Sequence, residues 1–212
     1  MKIRVKTAKG RPPSSTSWLR RHLNDRYAKC AAIEGYRSRS AYKLLQIDEK
    51  FELLKSGHAA IDLGSAPGGW SQVAAAKVGR HGRVIAVDTA CMHPIDNVDF
   101  INRSFLEAKN LIEDSLRDKP ADVVLSDMAP FSCGDAYTDH IRLMNLCEEA
   151  ADFACQVLTR GGCFVCKMLR GGTEQELYDN LKRHFNKVKY FKPAASHPSS
   201  AEIYMVAMGF VG

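Results

Sequence analysis

The sequence predicts an α/β fold, a single seven-stranded and mostly parallel sheet with helices on both of its faces. Short apolar runs alternate with segments of helical periodicity from residue 57 onward, which is typical of a sheet built from βα units. A glycine-rich turn follows the first apolar run, as at the ligand-binding edge of such sheets. The last two runs have no helix between them and are expected to end the sheet as an antiparallel pair.

The spacing of apolar residues gives the individual elements. Strands are predicted at 59–63, 83–87, 98–101, 122–126, 162–168, 187–191 and 203–209, and helices at 69–78, 105–117, 139–159 and 173–185. Two more helices, 17–29 and 38–54, precede the first strand. Residues 1–15 lack periodicity and are expected to form a flexible basic arm, so that a single domain spans residues 16–212.

Composition places the chain among soluble globular proteins. It is 45% hydrophobic and 25% charged, and no apolar run is long enough for a membrane span. The seven cysteines are scattered and odd in number, which predicts free thiols, and no secretory signal is evident, so a cytoplasmic location is expected. No cysteine or histidine spacing indicates a metal site, and the pair Cys163 and Cys166 lies in a predicted buried strand. A monomer is expected because no apolar stripe stands out.

Positive charge is concentrated near the N-terminus. The formal net charge is +6, and residues 1–43 hold twelve lysines and arginines against only two acidic residues. Such an excess attracts a polyanion such as RNA, although a solvated basic tail is the plain alternative. The candidate contacts are Arg20, Arg21, Arg37 and Arg39.

The segment 60–71 reads as a buried strand, a glycine-rich turn and the start of a helix. Small residues let a ligand approach the backbone, and a helix N-terminus offers free N–H groups. Asp88 ends the second strand, where a carboxylate can bind both hydroxyls of an adenosine ribose. A loose match to G-x-G-x-x-G/A leaves a dinucleotide-dependent dehydrogenase as an alternative. The candidate ligand-binding residues of the turn are Gly64, Ala66, Pro67, Gly68, Gly69 and Trp70, the last of which core packing explains equally well.

Four charged residues lie at element ends or in the preceding helix: Lys43, Asp127, Lys167 and Glu202. Asp127 and Lys167 end neighbouring predicted strands and should face one crevice. A ribose hydroxyl that attacks a methyl carbon must lose its proton, and a neutral lysine amine beside a second lysine can accept it. Asp127 would then orient the base, and Glu202 would hold Lys43.

At these residues the sequence resembles the FtsJ/RrmJ family of ribosomal RNA 2′-O-methyltransferases, and in particular its bacterial members, which methylate a uridine of large-subunit rRNA. The resemblance covers nearly the whole chain and is carried by residues 36–44, 62–72, 126–130, 164–167 and 200–204. It implies a Rossmann-like methyltransferase fold, S-adenosylmethionine as cofactor, and large-subunit rRNA in an assembled or nearly assembled subunit as partner. It also implies that Lys43, Asp127, Lys167 and Glu202 form a catalytic tetrad in which Lys167 accepts the proton.

The resemblance further places Gly68, Trp70, Asp88 and Asp127 around the cofactor. From their basic residues, the helices within residues 16–56 are expected to contribute to RNA binding, and they also supply Lys43. Two positions depart from the family pattern. Ser104 stands where an aspartate is usual near the adenine, and is kept as a cofactor-binding candidate. Phe131 stands where an asparagine often follows the Ser-Asp-Met-Ala-Pro run, at the predicted rim of the substrate pocket.

Three other functions fit parts of the sequence. An RNA base methyltransferase would normally carry an Asn/Asp-Pro-Pro-aromatic loop or a Pro-Cys nucleophile, and the sequence has neither. A dehydrogenase would need a hydride-transfer partner, such as a Tyr/Lys pair, after the sheet, and the sequence positions no such pair there. A catalytically silent RNA-binding assembly factor would have no use for the complete tetrad.

Overall fold

The computed structural model describes residues 25–116, 119–171 and 174–212. The predicted arm 1–15, Arg20, Arg21 and the first part of the predicted helix 17–29 lie outside the described residues.

One seven-stranded sheet organises the molecule. Its strands are β1 (Ala59–Leu63), β2 (Arg83–Asp88), β3 (Val98–Asn102), β4 (Ala121–Ser126), β5 (Leu158–Leu169), β6 (Phe185–Phe191) and β7 (Glu202–Phe210). The strand order is β3-β2-β1-β4-β5-β7-β6. Strands β1 to β5 are parallel, and β7 runs antiparallel to both β5 and β6. The predicted sheet is therefore confirmed, and strand order reverses between β1 and β4, where a ligand cleft is expected.

Six helices are described around the sheet: α1 (Arg26–Glu34), α2 (Ala41–Phe51), α3 (Gly69–Val78), α4 (Phe105–Leu116), α5 (Ala136–Val157) and α6 (Glu174–His184). Helix α1 starts after Asp25, whose carboxylate accepts two backbone N–H groups, and runs past its predicted end to the left-handed Gly35. Helix α5 begins earlier than predicted because Asp135 accepts the Thr138 N–H at 2.8 Å.

The sheet has a hydrophobic core on each face. Helices α4, α5 and α6 cover one face, and α2 and α3 cover the other. Central strands are buried on both sides, so Val124 packs into one core while Val123 and Leu125 pack into the other. No helix within the described ranges is long and apolar enough to cross a membrane. This packing holds α2 against the sheet, beside the carboxyl ends of β4 and β5.

Candidate active site

The four residues of the predicted tetrad converge at one edge of the sheet as two ion pairs. Lys43 Nζ on α2 lies 2.7 Å from Glu202 Oε2 at the start of β7. Lys167 Nζ on β5 lies 3.0 Å from Asp127 Oδ1, just after β4. The side chains are only 13% to 16% exposed, a burial that charged groups tolerate when they are paired.

Tyr204 ties the two ion pairs together, and the sequence reasoning missed it. It pairs with Lys167 across β5 and β7, and its hydroxyl donates to Asp127 Oδ1 at 2.9 Å. The Lys43 ammonium lies 5.8 Å from the centre of its ring, within cation–π range. The sequence could have indicated Tyr204 by its position two residues after Glu202 in a strand, since that spacing puts both side chains on one face.

Ser196 orients Glu202 from the loop between β6 and β7. Its hydroxyl donates to Glu202 Oε1 at 2.6 Å, which leaves Oε2 to face Lys43. Burial raises the pKa of Glu202, but the charge of Lys43 and the hydrogen bonds from Lys43 and Ser196 outweigh it and bring the pKa below its ordinary value. Glu202 is therefore an ionised partner for Lys43. No periodicity in this loop could have identified Ser196.

Two of the predicted RNA contacts, Arg37 and Arg39, lie within the described residues. Their guanidinium groups donate hydrogen bonds to other parts of the protein. Arg39 pairs with Asp25 and donates to the Ala195 carbonyl. Arg37 donates to the carbonyls of His93 at 2.6 Å and Pro94 at 2.7 Å. Both arginines thus fix loops around the site, and their contact with RNA stays a prediction.

A cleft of about 390 Å³ opens at the carboxyl ends of β1, β2 and β4, next to the tetrad. Its volume lies in the range of roughly 300–1,000 Å³ that is usual for small-molecule sites. Phe105, Leu106 and Met128 supply apolar surface. Asp127 lines the cleft as well as binding Lys167, so the cleft and the tetrad share a residue. The predicted cofactor residues on its wall are Gly64, Ala66, Asp88, Ser104 and Asp127.

The shape and polarity of the cleft fit a nucleoside. Asp88 accepts the N–H groups of Ala66 at 2.9 Å and Ala90 at 2.8 Å, one on each carboxylate oxygen, and each oxygen keeps a lone pair for a ribose hydroxyl. Gly64 has a φ of 77°, and a Cβ there would lie 2.8 Å from the Met128 backbone. Only glycine allows the two loops to approach this closely.

Pro67, Gly68, Gly69 and Trp70 do not line the cleft. A Cβ on Gly69 would overlap the hydroxyl of Ser38, so its small size makes room for the chain entering α2. Trp70 is 2% exposed, donates to the Ser40 carbonyl at 2.9 Å, and packs on the ring of Tyr204. Trp70 therefore supports Tyr204 and the tetrad from behind. Contact of these four residues with a cofactor stays a prediction.

Ser104 lines the cleft without supplying a carboxylate. Its hydroxyl donates to Glu107 Oε2 at 2.6 Å, and the same oxygen accepts the Ser104 N–H at 3.2 Å. This is a capping arrangement for the first turn of α4. The departure from the family pattern therefore leaves this part of the cleft without the usual acid.

Asp62 lies beneath both the cleft and the tetrad, fully buried in β1. Its Oδ2 accepts the Ser71 hydroxyl at 2.6 Å, while Oδ1 has no hydrogen-bond partner. Burial, with the charges of Asp127 and Asp88, raises the pKa of Asp62 to about 7 against the opposing hydrogen bonds from Ser71. Near neutral pH, Asp62 is therefore protonated in a substantial fraction of the molecules.

A family model described as FtsJ-like methyltransferase matches residues 36–210, a range that contains all four tetrad residues. The chain belongs to the FtsJ-like methyltransferase family. The resemblance stated from the sequence is therefore confirmed.

Relatives of this FtsJ-like chain cover its full length. Two proteins called ribosomal RNA large subunit methyltransferase E are 50% identical over 224 residues (Parvibaculum lavamentivorans) and 49% identical over 211 residues (Wolbachia sp. subsp. Brugia malayi). The alignments cover 100% of this chain and 88% and 96% of those proteins, respectively.

Solved structures confirm the methyltransferase fold. A ribosomal RNA methyltransferase from Plasmodium falciparum superposes with a TM-score of 0.73 at 33% identity, over 84% of this chain and 100% of that one. A SAM-dependent O-methyltransferase from Thermotoga maritima, 15% identical, superposes with a TM-score of 0.53 over 81% of this chain and 65% of that one, and shares the fold alone.

Proposed function

We propose that this FtsJ-like protein transfers a methyl group from S-adenosylmethionine to the ribose 2′-hydroxyl of a uridine in large-subunit ribosomal RNA. The observation that carries the proposal is the position of Asp127. Its carboxylate lines the cleft and also binds Lys167 Nζ at 3.0 Å. A basic side chain is thus held beside the place where a bound cofactor would present its methyl group.

The cleft residues support S-adenosylmethionine as the cofactor. When bound, this cofactor supplies an electrophilic methyl group on a positively charged sulfur. Asp88 would accept hydrogen bonds from the ribose hydroxyls, and Phe105, Leu106 and Met128 would enclose the adenine. Family membership and the fold shared with a SAM-dependent O-methyltransferase agree with this assignment.

The tetrad supports proton removal from a hydroxyl nucleophile. Lys167, once its ammonium has released its own proton, takes the proton of the 2′-hydroxyl while the hydroxyl oxygen attacks the methyl carbon in line. Asp127 holds that amine in place, with Tyr204 bonded to the same carboxylate oxygen. Lys43, kept near by Glu202, provides a positive charge that stabilises negative charge developing on the ribose oxygen. A carboxylate base or a metal-bound hydroxide is not needed for this step.

The relatives and the charge distribution support the RNA substrate. Both relatives cited are named for methylation of the large ribosomal subunit RNA, and the alignments span this whole chain. The basic excess in residues 1–43 suits phosphate contacts, for which Arg20, Arg21, Arg37 and Arg39 stay our candidates. We extend the proposal to RNA within an assembled or nearly assembled large subunit.

The test is transfer of labelled methyl from S-adenosylmethionine to large ribosomal subunits, and to their free RNA, purified from cells that lack this activity. Modified positions are mapped by resistance to alkaline cleavage, because 2′-O-methylation removes the hydroxyl that attacks the adjacent phosphate. One protected uridine is expected. Label in fully alkali-sensitive RNA would assign base methylation instead, and no label in either substrate would favour the RNA-binding assembly factor.

A further inference from the structure

Phe131 is the most exposed large hydrophobic side chain in the described part of the chain. The residue is 90% exposed, whereas the phenylalanines of the sheet and helices are buried, as Phe153 is, or half-buried, as Phe51 is. Single exposed apolar residues are common on protein surfaces, so it is the position of this ring at the cleft, together with its exposure, that indicates a partner.

The ring stands at the entrance to the cleft. Phe131 follows Asp127 by four residues, and it lines the cleft together with Met128 and Pro130. Because Asp127 also holds Lys167, an RNA that brings a ribose hydroxyl to Lys167 must place its neighbouring groups beside this loop.

The loop that carries Phe131 is anchored to the first turn of α5. The Ser132 hydroxyl donates to Asp139 Oδ2 at 2.5 Å, and the Cys133 N–H donates to Asp139 Oδ1 at 2.8 Å. The hydrogen bonds from the Cys133 N–H and the Ser132 hydroxyl lower the pKa of Asp139 to about 2, so its carboxylate is ionised at neutral pH. The loop is therefore tied to α5 directly after Phe131.

The partner that fits the exposed ring of Phe131 is a nucleobase of the RNA. A small ligand inside the cleft can cover only the side of the ring that faces the cleft, and nine-tenths of Phe131 is accessible from solvent. Unpaired bases stack on exposed aromatic side chains, with a contribution of roughly 1–3 kcal/mol per base and little dependence on sequence.

We propose that Phe131 is an RNA-stacking residue, whose ring receives an unpaired nucleobase at or next to the methylated nucleotide. This inference rests on the proposed function and adds to it a specific contact with the RNA. It also requires that the nucleotide be unstacked from its neighbours when its ribose reaches Lys167.

The test compares Phe131→Ala with Phe131→Tyr and with Tyr137→Ala. Tyr137 is a matched control, because it is an aromatic residue that is 72% exposed but does not line the cleft. We expect Phe131→Ala to lower kcat/KM for the RNA substrate by about 5- to 100-fold, from the stacking free energy above. Phe131→Tyr should restore most of this loss, and Tyr137→Ala should change kcat/KM by less than about twofold, because Tyr137 does not line the cleft.

Two further measurements separate the outcomes. The affinity for S-adenosylhomocysteine, measured by calorimetry, should be the same for Phe131→Ala and the unmodified protein; a loss there with unchanged use of RNA would assign the ring to the cofactor and overturn the inference. RNA affinity, measured by filter binding without turnover, should fall in Phe131→Ala. If the unmodified protein methylates no RNA, the proposed function fails, while this binding measurement still decides whether Phe131 stacks on a base. Equal RNA affinity and equal kcat/KM in Phe131→Ala and Tyr137→Ala would also overturn the inference that Phe131 stacks on a base.

Discussion

The two walls of the site are built in different ways. On the tetrad wall, formed by Lys43, Lys167, Glu202 and Tyr204, each charged group has a partner within 3.0 Å. On the cleft wall, formed by Asp88, Ser104, Leu106, Met128 and Phe131, Asp88 accepts only backbone N–H groups, and Leu106 and Phe131 expose most of their surface.

This contrast separates the chemistry from recognition. Groups that move a proton must be oriented before the substrate arrives, and the ion pairs and Tyr204 provide that order without a ligand. Groups that bind must keep free lone pairs and open apolar surface, which a ligand then covers. Changes on the tetrad wall should therefore alter turnover, and changes on the cleft wall should alter affinity.

Lys167→Ala should produce the largest effect on the tetrad wall. It removes the proton acceptor that we propose, and general-base catalysis contributes about 10²–10⁴-fold, so the methyl-transfer rate should fall by roughly 10³-fold. Affinity for S-adenosylhomocysteine should stay within a few-fold, because Lys167 does not line the cleft. Single-turnover transfer and calorimetry measure the two quantities. Lys189→Ala, at an exposed lysine of β6, is the control. Retention of most of the rate in Lys167→Ala would show that another group accepts the proton.

Asp62→Asn should change how stability depends on pH, since this carboxyl lies below both walls. Its folded-state pKa of about 7 is above its ordinary value of 3.8. Between about pH 4 and pH 7 the unfolded chain has released this proton while the folded chain keeps it, so the free energy of unfolding falls as pH rises. The loss amounts to at most about 4 kcal/mol by pH 8.

Asparagine cannot ionise and should escape this loss. The difference in free energy of unfolding, Asp62→Asn minus the unmodified protein, should therefore grow as pH rises from 4 to 8 in urea titrations. Asp96→Asn, at an exposed loop position, should show no such trend. A difference that does not vary with pH for Asp62→Asn would mean that the carboxyl is already ionised in the folded protein at low pH.

Ser196→Ala should give the smallest effect, because it loosens the tetrad wall without removing a member. Loss of one hydrogen bond to a carboxylate, about 1.5 kcal/mol, should lower kcat by about 10-fold and leave cofactor affinity unchanged. Since Ser196 helps to lower the pKa of Glu202, Ser196→Ala should raise that pKa, which NMR titration of the Glu202 carboxyl measures. Ser196→Thr, which keeps a hydroxyl, should restore the pKa of Glu202, and Ser199→Ala, at an exposed position, should match the unmodified enzyme. A lower kcat with an unchanged pKa of Glu202 would argue that Ser196 acts only on the loop.

The order of elements along the chain was sufficient to predict the sheet and the convergence of Asp127 with Lys167. Apolar runs of strand length separated by helical segments admit few arrangements, and parallel strands bring their carboxyl ends to one edge. Asp88, Asp127 and Lys167 end such strands, so their convergence follows from sequence position. Helix ends were less predictable, since α1 continues to Gly35 and α5 starts at the Asp135 cap.

The partners of each side chain depended on the folded structure. Strand register places Tyr204 opposite Lys167, and the path of the β6–β7 loop brings Ser196 to Glu202. Trp70, Arg37 and Arg39 pack or bond within the protein, contacts that the sequence did not reveal, and their predicted ligand contacts stay predictions. A residue's type and its position in an element indicate which chemistry it can perform. Whether its polar atoms face a ligand or another part of the chain is fixed by packing between segments that are distant in sequence, because buried polar groups must find partners there.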